Sequence, residues 1–250
     1  MLERLQAGLG LARSLLIYRR PGRQAGLKRF YSQFVQPGDR VFDIGAHLGD
    51  RSSAFAALGA RVVALEPQPR LFAWLQRLTR GSGRVTCLPL AVGSAPGQLT
   101  LASSRVNPTV ASLSAAWREQ VSSRQAGFAE VDWDERLSVE VTTLDDLIER
   151  YGEPDFCKID VEGFEPDVLR GLSRPLAALS VEFVQGALDQ ALACVDRLEQ
   201  LAGYRYQVVA GERRAFFLPD WIDADAIRAW LEAGAQGLSS GDLYARWAGE

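Results

Sequence analysis

The chain has 250 residues, of which 47% are apolar and 24% charged, with a formal net charge of −3. That length suits one α/β domain with a substantial core, or two small domains. The weakly negative balance excludes a global positive field of the kind that draws nucleic acid or an anionic membrane, leaving room only for local basic patches.

Leu2–Phe34 reads as an amphipathic helical stretch with Arg19, Arg20, Arg23 and Lys28 on its wet side. Its uninterrupted apolar run, Ser14–Tyr18, is far too short to span a bilayer, and no small-residue cleavage site follows a clean apolar core. Docking on the core or on a second subunit, as in a homodimer, is therefore expected in preference to attachment at a membrane surface. From about Gln36 the text alternates between short apolar strands and helical stretches. RVFDI (40–44) reads as a buried strand, 52–59 as a helix stopped by Gly59, 61–66 as the next strand, and 69–78 as a helix. A third strand covers 84–92 and breaks at Pro89; extended segments follow at 97–103 and 138–144. Strand 156–161, helix 166–172 and strand 178–184 complete the central series.

Helix 187–202 is followed by YRYQVVA and RRAFFLP, which look like an antiparallel pair turning at Gly211-Glu212. The tail 221–250 carries aromatics at helical spacing and is expected to be helical, packed on the sheet or on a partner subunit. The alternation implies a mostly parallel sheet with helices on both faces, and an antiparallel addition at one edge. Between Ser103 and Leu137 the periodicity fades. This excursion, with Asn107, Ser112, Trp117, Phe128 and Trp133, is read as a lid-like insertion. The expected layout is a helical extension over 1–36, a main domain over 37–220 containing the 103–137 insertion, and a helical segment over 221–250. Cys87, Cys157 and Cys194 fit neither a Cys-x-x-Cys metal pattern nor an even disulfide set; as reduced thiols they point to the cytoplasm.

The most telling stretch is RVFDIGAHLGDRS, Arg40–Ser52. A buried strand ends on a carboxylate and turns at once through glycine, at the carboxyl edge where open α/β sheets bind ligands. Glycine lets the main chain approach a ligand, and the following helix offers unpaired N–H groups to a carboxylate or phosphate. His47 stands where a dinucleotide fingerprint needs its middle glycine, and the Gly-Lys-Ser/Thr of a phosphate loop is absent. What remains is Asp43-x-Gly45-x-x-x-Gly49, with Glu66 ending the next strand, where an acid can accept both ribose hydroxyls of an adenosine. A negative corner without a phosphate-neutralising lysine suits a cationic cofactor, S-adenosylmethionine, better than NAD or ATP. A routine strand-to-helix corner is the bland alternative.

FDIGAHLGDRS, VVALEPQPRLFAWL, LAVGSAPGQLTL, VEVTTLDDL and CKIDVEGFEPDVLRG resemble, in order and spacing, the FkbM-type S-adenosylmethionine-dependent methyltransferases. The resemblance covers roughly Gly38 to Phe183. It implies the seven-stranded, Rossmann-like class I methyltransferase sheet, and O-methylation of hydroxyls on natural products or glycans. Carried over by position, Asp43, Gly45, His47, Gly49 and Ser52 form the first cofactor loop, Glu66 the ribose ligand, and Ala91-Val92 the neighbourhood of the adenine. His47 stands where the family pattern often has asparagine; a titrating imidazole there would make binding depend on pH.

In KIDVEGFE, residues two apart share a strand face, so Lys158, Asp160 and Glu162 could line the carboxyl rim, with Glu182 near the end of a neighbouring strand. Methyl transfer from a sulfonium needs an oxygen nucleophile held in line and relieved of its proton. Asp160 is the first choice as base or orienting group; Glu162 and His47 stand in reserve, and Lys158 holds a carboxylate or the acceptor oxygen. Asp160, Glu162 and Glu182 could instead hold Mg²⁺, but the spacing does not demand a metal and none is assigned. A purely structural Lys158–carboxylate pair is the plain alternative. Methylation of RNA or protein, and a non-catalytic cofactor-binding module, are the competing functions. The Asn/Asp-Pro-Pro-aromatic signature of amino-group methylation is absent, and no nucleic-acid partner is expected.

Overall fold

The structure is a computed structural model that describes residues 22–104, 111–125 and 131–249. Most of the amphipathic stretch expected over Leu2–Phe34, together with Asn107 and Phe128 of the insertion, lies outside the described residues. In chain order the first elements are α1 (Arg23–Tyr31), β1 (Arg40–Ile44), α2 (Asp50–Ala57), β2 (Arg61–Leu65), α3 (Pro69–Thr79), β3 (Val85–Leu88) and β4 (Ala91–Val92). Then come β5 (Gly97–Ser103), β6 (Ala111–Ser112), α4 (Ala115–Arg124), β7 (Glu135–Thr142), α5 (Leu144–Tyr151) and β8 (Phe156–Ile159). The chain closes with α6 (Glu165–Arg170), β9 (Ala178–Val184), α7 (Leu188–Leu201), β10 (Tyr204–Ala210), α8 (Ala224–Glu232) and β11 (Ser240–Trp247).

Among the described residues the main sheet has seven strands in the order β3-β2-β1-β8-β9-β11-β10. The β1–β2, β2–β3, β1–β8 and β8–β9 pairs are parallel, while β11 runs antiparallel to both β9 and β10. The chain winds outward from β1 through β2 to β3, then returns to β8, so the direction of winding reverses between β1 and β8. Ligands bind at such a switch point, beyond the carboxyl ends of the strands. This is the seven-stranded, Rossmann-like sheet that the family resemblance implied.

One face of the sheet is covered by α1, α2 and α3, with Leu27, Phe30, Phe55, Leu75, Phe156 and Tyr244 in a shared core. The other is covered by α5 to α8, which contribute Leu147, Leu169, Val195 and Ile227 to the larger core. Each fully buried aromatic or branched side chain contributes about 1.5–3 kcal/mol of transfer free energy. The Thr-Leu-Asp-Asp run starts α5: Thr143 Oγ1 accepts the Asp146 N–H at 3.0 Å, and the Asp146 carboxylate accepts the Thr143 N–H at 3.2 Å. That reciprocal cap satisfies two otherwise unpaired donors at the helix start. No helix among the described residues is long and apolar enough to cross a membrane.

Two expectations are overturned at the carboxyl end. The antiparallel partner of β10 is β11, not 213–219. Pro219 lacks an N–H, and Gln207 turns its side-chain amide onto the main chain of Leu218 and Asp220, so this segment meets β10 only at isolated points such as the Tyr206–Ile222 bridge. The tail is α-helical over Ala224–Glu232, followed by a single 3₁₀ turn at Ala235–Gly237, and Ser240–Trp247 then inserts as a strand between β9 and β10. Gly241 permits this insertion, because a Cβ there would lie 2.4 Å from the Val209 carbonyl oxygen. The sheet therefore runs past the expected domain end at residue 220. The strand expected over 84–92 divides at Pro89. Its second part, Ala91–Val92, joins a separate four-stranded sheet, β4-β7-β5-β6, which carries the insertion.

Candidate active site at the switch point of the sheet

β1 and β2 place Asp43 and Glu66 at neighbouring tips on the same end of the sheet, since the parallel register pairs Asp43 with Ala64 and Ile44 with Leu65. After Ile44 the chain turns through Gly45, whose φ is 80°, and the N–H groups of Gly45 and Ala46 both bond the Leu65 carbonyl, at 3.0 and 2.8 Å. His47 follows with φ 51°. Asparagine and histidine adopt this left-handed conformation more readily than most residues, a backbone reason for either at that place. Gly49 takes the same conformation at the N-terminus of α2.

Glu66 is buried, and its two oxygens accept the His47 N–H at 3.0 Å and the Gln68 N–H at 2.9 Å. It ties the glycine loop to β2 and keeps acceptor capacity for a ligand, because a carboxylate offers about four lone-pair sites. Burial drives its pKa up to about 7, against the two backbone N–H groups that lower it. Burial pushes the His47 imidazole down to about 4, so it does not titrate near neutrality as expected from its sequence position. Asp43 is also buried; its carboxylate accepts the Ser52 hydroxyl, and burial raises its pKa. Ser52 is fully buried behind Asp43 and, like Gly49, lies off the cavity wall.

β8 ends in an ion cluster. Lys158 is 1% exposed, and its Nζ lies 2.9 Å from an Asp160 carboxylate oxygen and 3.2 Å from one of Asp242. Burial alone would raise the Asp160 pKa, but Lys158 and then Arg51 overcome it and hold it at about 2. Glu162 (φ 54°) and Glu182, near the end of β9, each bring a carboxylate oxygen within 4.8 Å of one from Asp160 and of each other. Burial, then the charge of Asp160, push both glutamates well above the carboxylate range. Glu165, in the first turn of α6, is buried too and accepts the Val161 N–H at 2.9 Å, which closes the loop beneath them.

The insertion holds this loop from above. Trp117 of α4 lies against Gly163, where a Cβ would come within 2.0 Å of the indole, and Ser112 donates to the Glu162 carbonyl at 2.6 Å. Together these elements enclose a cavity of about 230 Å³. Asp43, Gly45, His47, Glu66, Ala91, Val92, Lys158, Asp160 and Glu162 line it, as does Glu182. Leu101, Ala111 and Leu113 come from the second sheet and the insertion. Asp242, Arg51 and Glu212 were missed from sequence: the first sits in a strand read as helix, Arg51 lies within the glycine-loop stretch with no role assigned to it, and Glu212 was read only as a turn residue.

The methyltransferase FkbM domain family matches residues 43–233, running past the Phe183 limit of the resemblance read from the motifs. The hexuronic acid methyltransferase AglP of Haloferax volcanii is 26% identical over 163 residues, 63% of this chain and 59% of that protein. The chain thus matches less than two thirds of that relative's length. Among solved structures, precorrin-6y C5,15-methyltransferase from Geobacter metallireducens shares 12% identity over 90% of this chain and 87% of that one, with a TM-score of 0.48. A cofactor-bound Rv0187 from MTB shares 14% identity over 96% and 90%, with a TM-score of 0.45.

Proposed function

The chain belongs to the FkbM family of S-adenosylmethionine-dependent methyltransferases, and on that premise we propose that it methylates a hydroxyl of a small molecule or glycan. The observation that carries this reading is the convergence of Asp160, Glu162 and Glu182 at the end of the cavity that also holds the Gly45 loop and Glu66. The wall fits the cofactor. It is rich in carboxylates, which suits a ligand with a sulfonium and an ammonium, and Pro67, Leu90, Val92, Leu101 and Leu113 offer apolar surface for a purine. Asp43, Gly45, His47 and Glu66 would hold the cofactor, with Ala91 and Val92 at its base. Ser52 would orient Asp43, and Gly49 would shape the loop.

When bound, the cofactor supplies an electrophilic methyl carbon. The protein's part is to seat an acceptor hydroxyl opposite it, keep water out and take up the hydroxyl proton. Asp160, ionised and anchored by Lys158, orients the hydroxyl by accepting its hydrogen bond. Its pKa of about 2 makes it a weak proton acceptor, since a base works best with a pKa near the operating pH. Burial and the charge of Asp160 shift Glu162 and Glu182 upward, so each holds a proton more firmly than Asp160 does. A nearby positive ligand favours their ionised, proton-accepting forms. We assign the base role to this glutamate pair, with Glu162 on the loop after β8 and Glu182 on β9, and the orienting role to Asp160 and Lys158.

A sugar acceptor is the class brought forward by the hexuronic acid named for the Haloferax volcanii relative. The three carboxylates also favour a second version in which a divalent cation, such as Mg²⁺, acidifies the hydroxyl, because oxygen-only ligands suit that ion. One experiment addresses both versions: incubation with methyl-labelled cofactor and a hydroxyl-rich extract, with and without chelator. Label in small molecules or glycan, insensitive to chelator, is expected. Label in RNA or protein, or in nothing, contradicts the proposal.

A further inference from the structure

Arg51 follows Asp50 in the first turn of α2 and lines the cavity beside the Gly45 loop. Its side chain is 16% exposed, yet its Nε is buried without a hydrogen-bond partner among the described residues. Its Nη2 touches an oxygen of Glu212 at 3.4 Å. A guanidinium presents Nε and one Nη as a parallel fork that matches both oxygens of a carboxylate. Glu212 reaches only one tine of that fork, and at a long distance.

The neighbours explain why Arg51 is open to a ligand. Asp50, next in the chain, is committed elsewhere: it binds Arg23 Nε and Gln24 Nε2, each at 2.6 Å. Asp160 and Asp242 are held by Lys158. Glu212 lies at the turn after β10, is 61% exposed, and bonds Arg23 through its other oxygen at 3.1 Å. An exposed carboxylate in a loose pair contributes little and exchanges readily. Buried donors, by contrast, are nearly always satisfied in a working site.

We propose that Arg51 is the carboxylate-binding residue of this cavity, and that Glu212 is a displaceable stand-in whose place a ligand carboxylate takes. This rests on the methyltransferase reading and deepens it. The carboxylate has two sources, the amino-acid tail of the cofactor or an acidic sugar acceptor, and both present the same planar group to the fork.

The test is equilibrium binding to wild-type, Arg51→Gln and Glu212→Gln proteins. The probes are S-adenosylhomocysteine, its decarboxylated analogue that keeps the ammonium, and glucuronate. If the tail is the source, Arg51→Gln weakens S-adenosylhomocysteine about tenfold or more and leaves the decarboxylated analogue within about twofold. If the acceptor is the source, Arg51→Gln spares both nucleosides and abolishes glucuronate binding. Glu212→Gln, a surface change, removes the competitor and is expected to tighten the same carboxylate probe about threefold; it carries the test should Arg51→Gln fail to fold. Equal weakening of S-adenosylhomocysteine and its decarboxylated analogue would overturn the assignment, as would wild-type binding of every probe by the variants. Failure of wild-type protein to bind S-adenosylhomocysteine at all would instead remove the methyltransferase reading and this inference with it.

Discussion

A Cβ added to Gly45 would lie 1.8 Å from the carbonyl oxygen of Asp160. The glycine that opens the 45–49 loop and the aspartate that opens the acidic loop are thus packed main chain to main chain across the β1–β8 switch point. Gly45 also has a φ of 80°, so alanine there meets both a clash and a strained backbone. Gly45→Ala is expected to destabilise the fold by about 2–4 kcal/mol and to lower affinity for S-adenosylhomocysteine. Gly81→Ala, where a Cβ would meet nothing within 4 Å, is the control and should stay within about 0.5 kcal/mol. Denaturant unfolding of the two variants provides the check.

Glu66 sets a pH dependence with a definite sign. Its folded-state pKa of about 7 lies above the ordinary 4.5, so the folded state binds the proton more tightly than the unfolded chain. The stability this gives the ligand-free protein is full below about pH 4.5 and is lost as pH rises to about 7. A ligand that needs the ionised carboxylate follows the opposite course. Affinity for S-adenosylhomocysteine should rise from about pH 6 to about pH 8, with proton release on binding. Glu66→Gln should flatten that profile. His47, at about 4, contributes nothing in this window. Calorimetry in buffers of different ionisation enthalpy measures the released proton.

Glu162→Gln and Asp160→Asn should part company. The first is expected to lower kcat about 10²–10⁴-fold, the usual worth of a general base, with affinity for S-adenosylhomocysteine within a few-fold. Asp160→Asn should also lose turnover, but it removes a partner of Lys158 and so weakens the fold as well. If Glu162→Gln kept full turnover while Asp160→Asn lost it at unchanged stability, the base assignment would move to Asp160. Single-turnover kinetics beside thermal unfolding distinguish the cases.

Lys158→Met takes from buried Asp242 and half-buried Asp160 the ammonium they share. Breaking a buried pair by removing one member costs about 3–5 kcal/mol. Asp160 has its folded-state pKa lowered from 3.8 to about 2, so the stabilisation from this pairing is present above the ordinary value and lost as pH falls toward 2. The penalty of Lys158→Met should therefore be large at neutral pH and shrink in acid. Stability curves of wild type and variant against pH would show it.

Much of this site was legible in the sequence because the signals were local. RVFDIG announces a buried strand broken by glycine, and Glu66 follows one strand later at the matching tip. The first two strands and their helices fall close to where apolar periodicity put them. Lys158 and Asp160 meet at the end of β8 as the two-residue repeat of a strand expects, but the strand stops at Ile159, and Glu162, with φ 54°, reaches the cluster from the loop and not from a shared strand face. What was hidden depends on distant pairings. Asp242 reaches Lys158 only because Ser240–Trp247 inserts between β9 and β10, and nothing in its text separates a short strand from a helix with aromatics at the same spacing. Arg51 stands in the glycine-loop stretch, but its partner Glu212 comes from a turn more than a hundred residues downstream, which no local pattern announces. The base proposed here, unlike the first choice of Asp160, depends on burial and neighbouring charge, which a sequence does not carry.

Titration of folded wild-type protein with S-adenosylhomocysteine by calorimetry tests most directly whether the Gly45 loop, Asp43 and Glu66 form a cofactor site. Saturable one-to-one binding is predicted, weakened at least about tenfold in a Glu66→Ala variant that loses the loop anchor and the ribose acceptor together. No heat and no saturation with well-folded material, or equal affinity in Glu66→Ala, would contradict it.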